Sequence, residues 1–123
     1  MSRTTIGFGT CLREKRTSKG YSLRKFAELV GVSATYLSQV EQEHVPTPTA
    51  DRVRRIAELL NENTDKWIIL AGRLPDDLAS IIMQHPTQMP ELLREAGELD
   101  DVQLEHVRSQ IRRLRSHASK KSK

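Results

Sequence analysis

Apolar residues recur along this chain at the 3-4-3 spacing of α-helices, and the clearest case is residues 22–42. Leu23, Phe26, Ala27 and Val30 stand at i, i+3, i+4 and i+7, which places them on one helix face. Ser22 just ahead can accept a hydrogen bond from an unpaired first-turn amide, and Gly31 marks a tight turn. A second helix then runs over Ser33–Gln42, capped by Ser33. There Leu37 and Val40 face inward, while Ala34, Thr35, Ser38, Gln39 and Gln42 fall on the outer side.

The same pattern predicts a first helix over Phe8–Lys19, stopped by Gly20. The loop Glu43–Pro48 holds Pro46 and Pro48 and cannot be helical. Thr49 caps a fourth helix with Val53, Ile56, Ala57 and Leu60 on its buried face. Asn61–Thr64 breaks it, and a short fifth helix carries Trp67, Ile68, Leu70 and Ala71 up to Gly72. Trp67, flanked by Ile68 and Ile69, reads as core and not as a ligand platform.

Beyond Gly72 the signals weaken. Residues 73–75 read as a linker, with Pro75 suited to the first turn of a helix ending near Gln84. Pro86 and Pro90 bracket a break, and Leu92, Leu93, Ala96 and Leu99 suggest a short helix closing at Gly97. The last helix is predicted from Asp100 to about Arg115. Its Leu104, Val107, Ile111 and Leu114 form the seam expected where two helices pack lengthwise. Residues 116–123 read as a disordered basic tail. The class is all-α: a five-helix domain over 1–72, a helical segment over 73–115 for dimerisation or partner binding, and the tail.

Charge sharpens this division. The net charge is +4, but residues 1–74 carry 12 basic and 8 acidic side chains, residues 75–105 carry 1 and 8, and residues 106–123 carry 7 and none. A basic front, an acidic middle and a basic tail suit a polyanion-binding head joined to a segment with another role. The plain alternative makes the acidic stretch a solvated helix face.

No apolar run reaches transmembrane length, and MSRTTIGFGT lacks the apolar core of a signal peptide. Together with a single cysteine, Cys11, this favours a reducing cytoplasm, near the nucleoid, and no membrane partner. His44, His85, His106 and His117 lack metal-ligand spacing, so neither a metal nor a cofactor is expected. No nucleophile–base pair or phosphate loop supports an enzyme.

The stretches FGTCLREKR, SLRKFAELVGVSATYLSQVE and TDKWIILAG together resemble the phage-repressor/Cro-like, or Xre-type, helix-turn-helix regulators over residues 6–72. The resemblance implies a five-helix lambda-repressor-like DNA-binding domain. It pairs Arg16 with Glu41 in an interhelical ion pair, turns Ala34, Thr35, Ser38 and Gln39 toward base edges, and assigns phosphates to Ser22, Ser33, Tyr36 and Gln42. Among Arg13, Lys15, Arg24 and Lys25, Arg24 is the favoured phosphate clamp.

The sequence departs from the family at Glu43, where Gly is usual. A left-handed backbone costs Glu roughly 1 kcal/mol, and the loop is expected to take another path. Ala71-Gly72 matches the self-cleavage site of related repressors, but only 51 residues follow, without a Ser/Lys dyad. The implied function is a dimeric repressor on palindromic double-stranded DNA. The competing expectation is a toxin-masking autoregulator that also binds a partner protein through residues 75–115.

Overall fold

The computed structural model describes residues 7–121. The signal-peptide question at residues 1–6, and residues 122–123 of the tail, lie outside them. Eight helices occur among the described residues, and the fold is all-helical: α1 (Phe8–Ser18), α2 (Leu23–Val30), α3 (Ala34–Glu41), α4 (Ala50–Leu59), α5 (Thr64–Leu70), α6 (Asp76–Gln84), α7 (Gln88–Ala96) and α8 (Asp101–Lys121). The chain divides into two compact units after Ala79, within α6.

The first unit holds the buried core. Phe8 and Leu12 of α1, Phe26 and Ala27 of α2, Leu37 and Val40 of α3, Val53, Ile56 and Ala57 of α4, and Trp67 and Ile68 of α5 meet in one cluster. Trp67 is core, its ring set edge-on to Phe8 at 5.8 Å between centroids. Contacts run α1 to α3, α2 to both α3 and α4, and α4 to α5. A left-handed glycine closes α2: Gly31 (φ 92°), with its N–H on the Ala27 carbonyl at 2.8 Å. Gly9 serves packing instead: a Cβ there would run into the carbonyls of Val40 and Glu41, so α1 and α3 approach this closely only with glycine.

Several local expectations change. Thr49 precedes α4 without a side-chain cap bond, whereas Asn63, placed by the pattern in a mere break, caps α5 by accepting from Lys66 N–H at 2.8 Å. Residues 73–75 are not a loose connector. Arg73 donates from Nε to the Pro48 carbonyl at 2.9 Å and from Nη2 to the Thr47 carbonyl, Thr47 Oγ1 donates to the Ala71 carbonyl at 2.7 Å, and Pro75 is buried.

In the second unit, Pro90 does not break the chain but sits in the first turn of α7, where a missing N–H costs nothing. The start of α8 is fixed by a reciprocal cap: Asp100 Oδ1 accepts from Gln103 N–H at 2.8 Å, and Gln103 Oε1 accepts from Asp100 N–H at 3.0 Å. The helix continues past Arg115 to Lys121, so residues 116–121 are helical instead of forming the expected tail. No proline or glycine interrupts them, and their positive charge suits a helix C-terminus. Helices α6 and α7 bury no residue, and Ile81, Met83, Leu92, Leu93, Val102, Ile111 and Leu114 are all exposed.

Candidate nucleic-acid interface

Both helix starts expected to meet a polyanion are capped in the same way. Ser22 Oγ accepts from Lys25 N–H at 3.1 Å and Ser33 Oγ from Tyr36 N–H at 3.0 Å. Each cap satisfies one amide, and the remaining first-turn N–H groups have no helical acceptor. They point outward with the positive end of the helix dipole, which is the chemistry an anionic oxygen requires.

The pose of α3 is locked from behind. Arg16 Nε donates to Glu41 Oε2 at 2.6 Å, and Nη2 donates to Oε1 at 3.0 Å. Both residues are only 8% exposed. Nη1 adds a bond to the Tyr21 carbonyl at 2.9 Å, so one guanidinium ties α1, the α1–α2 loop and the end of α3 together. A two-pronged pair of this kind fixes angle as well as distance.

With Glu41 turned inward, the outer surface of α3 is uncharged. Thr35 and Gln39 are exposed on it, and Gln42 lies exposed at its C-cap. Ser38 is half-buried and accepts from Gln42 Nε2 at 2.9 Å, so these two side chains hold each other. Ala34 and Tyr36 are half-buried and pack on the core. Of the positions implied to face bases, Thr35 and Gln39 therefore project furthest.

Positive charge comes from the helices beside α3. Arg24 and Lys25 are exposed at the start of α2. Exposed Arg13 shares one cleft with Arg16, Leu23, Ser38, Glu41 and Gln42, which places it on the α3 side of α1. The signal for Arg13 was its position one turn before Arg16, on the same face of the helix. Lys15, by contrast, is engaged elsewhere, with its Nζ 2.9 Å from Glu62 Oε2. That bond holds the Glu62 carboxyl below the usual carboxylate range.

Glu43 takes the left-handed backbone itself (φ 62°), in place of another loop path. Its N–H meets the Val40 carbonyl and His44 N–H meets the Gln39 carbonyl at 2.9 Å, which closes α3 as a glycine would. Its carboxylate turns away to the start of α1, where Oε2 accepts from Thr10 N–H at 3.3 Å. Gly7, the N-cap of α1, has no side chain for that task. Cys11 is half-buried nearby, and burial together with the charges of Glu14 and Glu43 pushes its thiol pKa up. A raised pKa favours the unreactive thiol over the thiolate. No group of three or more potential metal ligands occurs among the described residues, and none of their helices is long and apolar enough to cross a membrane.

Two short helices joined through a left-handed glycine, the second exposed and braced by a buried ion pair, define a helix-turn-helix unit. Residues 12–67 match the family model described as Helix-turn-helix. Over 66 residues the chain is 38% identical to an uncharacterized HTH-type transcriptional regulator found in two strains of Mycobacterium tuberculosis; the match covers 54% of this chain and 46% of the relative. The chain thus spans about half the length of the curated relatives it matches. Among solved structures, it is similar to the N-terminal DNA binding domain of SinR from Bacillus subtilis, with 28% identity, TM-score 0.45, and coverage of 50% of this chain and 88% of that one. It is also similar to the clp gene regulator ClgR from Corynebacterium glutamicum, with 25% identity, TM-score 0.46, and coverage of 70% and 85%.

Proposed function

We propose that this protein is a sequence-specific DNA-binding transcriptional regulator, a dimeric repressor that reads a palindromic operator with α3. The observation that carries this reading is the outer face of α3, where Thr35 and Gln39 stand exposed on a helix whose only charge is locked inward against Arg16. The Gln39 carboxamide can donate to and accept from one adenine edge, and Thr35 can meet a thymine methyl or a base acceptor. Arg13, Arg24, Lys25 and the free amides at the starts of α2 and α3 supply phosphate contacts that set the register. Both Mycobacterium tuberculosis relatives are called transcriptional regulators, which agrees with this use.

Two copies joined through the second unit place their α3 helices about 34 Å apart on one side of the duplex, and occupancy there blocks polymerase. In-vitro selection of bound duplexes tests the reading. The expected product is a two-fold symmetric site with half-sites one helical turn apart. Gln39→Ala weakens binding to that site by about 1–3 kcal/mol and leaves random DNA nearly unaffected. Equal loss on both DNAs removes Gln39 from base readout, and selection that returns no common sequence removes the operator reading.

A second reading has its own observation. Met83, Leu92 and Leu93 are exposed in the second unit, which also exposes Glu91, Glu95 and Glu98, side chains suited to a basic protein with an apolar patch. Such a partner would make the chain an autoregulator of the antitoxin kind. Recovery of one small basic protein with the full chain from nuclease-treated lysate, lost on Leu92→Glu with Leu93→Glu, would favour it.

A further inference from the structure

We propose that α8 pairs with the α8 of a second copy in antiparallel register, Leu104 against Leu114 and Val107 against Ile111. This rests on the dimeric reading and specifies its geometry. The four seam residues lie on one face of a 21-residue helix, and the structure leaves the later half of that face open: Ile111 is 44% exposed and Leu114 70%. Leu104 and Val107 are half-buried.

The seam spacing is 3-4-3, so the pattern is symmetric about the midpoint between Val107 and Ile111. In an antiparallel pair one register therefore fills both layers, each layer holding one residue of each heptad type. Charge selects the same orientation. The helix begins at Asp101 and carries Arg112, Arg113 and Arg115 in its second half. Turned head to tail, Asp101 of each copy flanks the seam beside Arg115 of the other, and the two helix dipoles oppose. A parallel pair instead sets the Arg-rich halves side by side. The antiparallel arrangement has one unfavourable contact, Arg108 beside its own counterpart at the two-fold axis. Glu105 offsets it within each helix, 2.9 Å from Arg108 and 3.3 Å from Arg112. Those two arginines hold the Glu105 carboxyl below the usual carboxylate range.

Cross-linking in the full chain, with Cys11→Ser to remove the native thiol, tests the register. Leu104→Cys and Leu114→Cys are prepared separately, oxidised alone, and oxidised as an equimolar mixture. The expected result is a covalent dimer in the mixture and little in either variant alone. Self-linking of each variant would overturn the antiparallel register while leaving a dimer in place. A full chain that sediments as a monomer overturns the dimer as well. Asp101→Arg is expected to weaken self-association about fivefold, with recovery on adding Arg115→Asp. Circular dichroism confirms that α8 stays helical in both variants, and failure of the pair to recover overturns the charge contact.

Discussion

Glu43 does two opposing things, and its substitutions separate them. The left-handed backbone costs roughly 1 kcal/mol, while the bond from its carboxylate to Thr10 N–H returns a similar amount by capping α1. Glu43→Ala keeps the strain and loses the cap, so it should destabilise by about 1 kcal/mol in urea titration. Glu43→Gly loses the cap but relieves the strain, and it should fall within about 0.5 kcal/mol of the parent. The cost of a left-handed Glu was legible in the sequence, but it pointed to another loop path, and Glu43 takes the left-handed backbone instead. The destination of the carboxylate was not legible, because Thr10 lies 33 residues away and nothing local links the two. Arg16 presents the opposite balance. Arg16→Ala leaves the Glu41 carboxylate buried without a partner, and thermal melting should report a loss of about 3–5 kcal/mol. Arg16→Lys should recover only part of this, because an ammonium cannot make the two-pronged contact.

Helices legible at the level of pattern were those with both a period and a stop. The cores of α2, α3 and α4 follow from their apolar spacing, and Gly31 closes α2 as its sequence context requires. Boundaries governed by side-chain reach were less legible. Asn63 caps α5 from inside what read as a break, and Pro90 is accommodated in the first turn of α7 because those positions tolerate proline. At the candidate site, the outward turn of Thr35 and Gln39 followed from helical geometry. The inward lean of Ser38 did not, since it depends on the neighbouring α1 and on Gln42. The packing of α1 on α3 turns on a single glycine. Gly9→Ala drives a methyl into the Val40 and Glu41 carbonyls and should destabilise by about 1–3 kcal/mol in chemical denaturation. Because it also shifts α3, operator binding should weaken even where folding is complete.

At the scale of the molecule, the buried core lies in the first unit and most of the exposed large apolar residues in the second. Among the described residues, the buried apolar ones all precede the division after Ala79, whereas Leu92, Leu93, Ile111 and Leu114 beyond it are exposed. A chain ending at Ala79 should therefore unfold cooperatively with a midpoint close to that of the full protein, as read by circular dichroism. On a duplex with two half-sites it should bind at least about 100-fold more weakly, since linked binding is gone, while on a single half-site the two chains should bind alike. The clasp that Arg73 makes with Thr47 and Pro48 bears on how such modules can be recombined. A chimera spliced at Gly72 would lose both ties that Arg73 makes to the loop ahead of α4, and buried Pro75 with them. Any graft that borrows this head for a different tail should take its junction downstream of Ala79, where the borrowed piece already carries its own fastening.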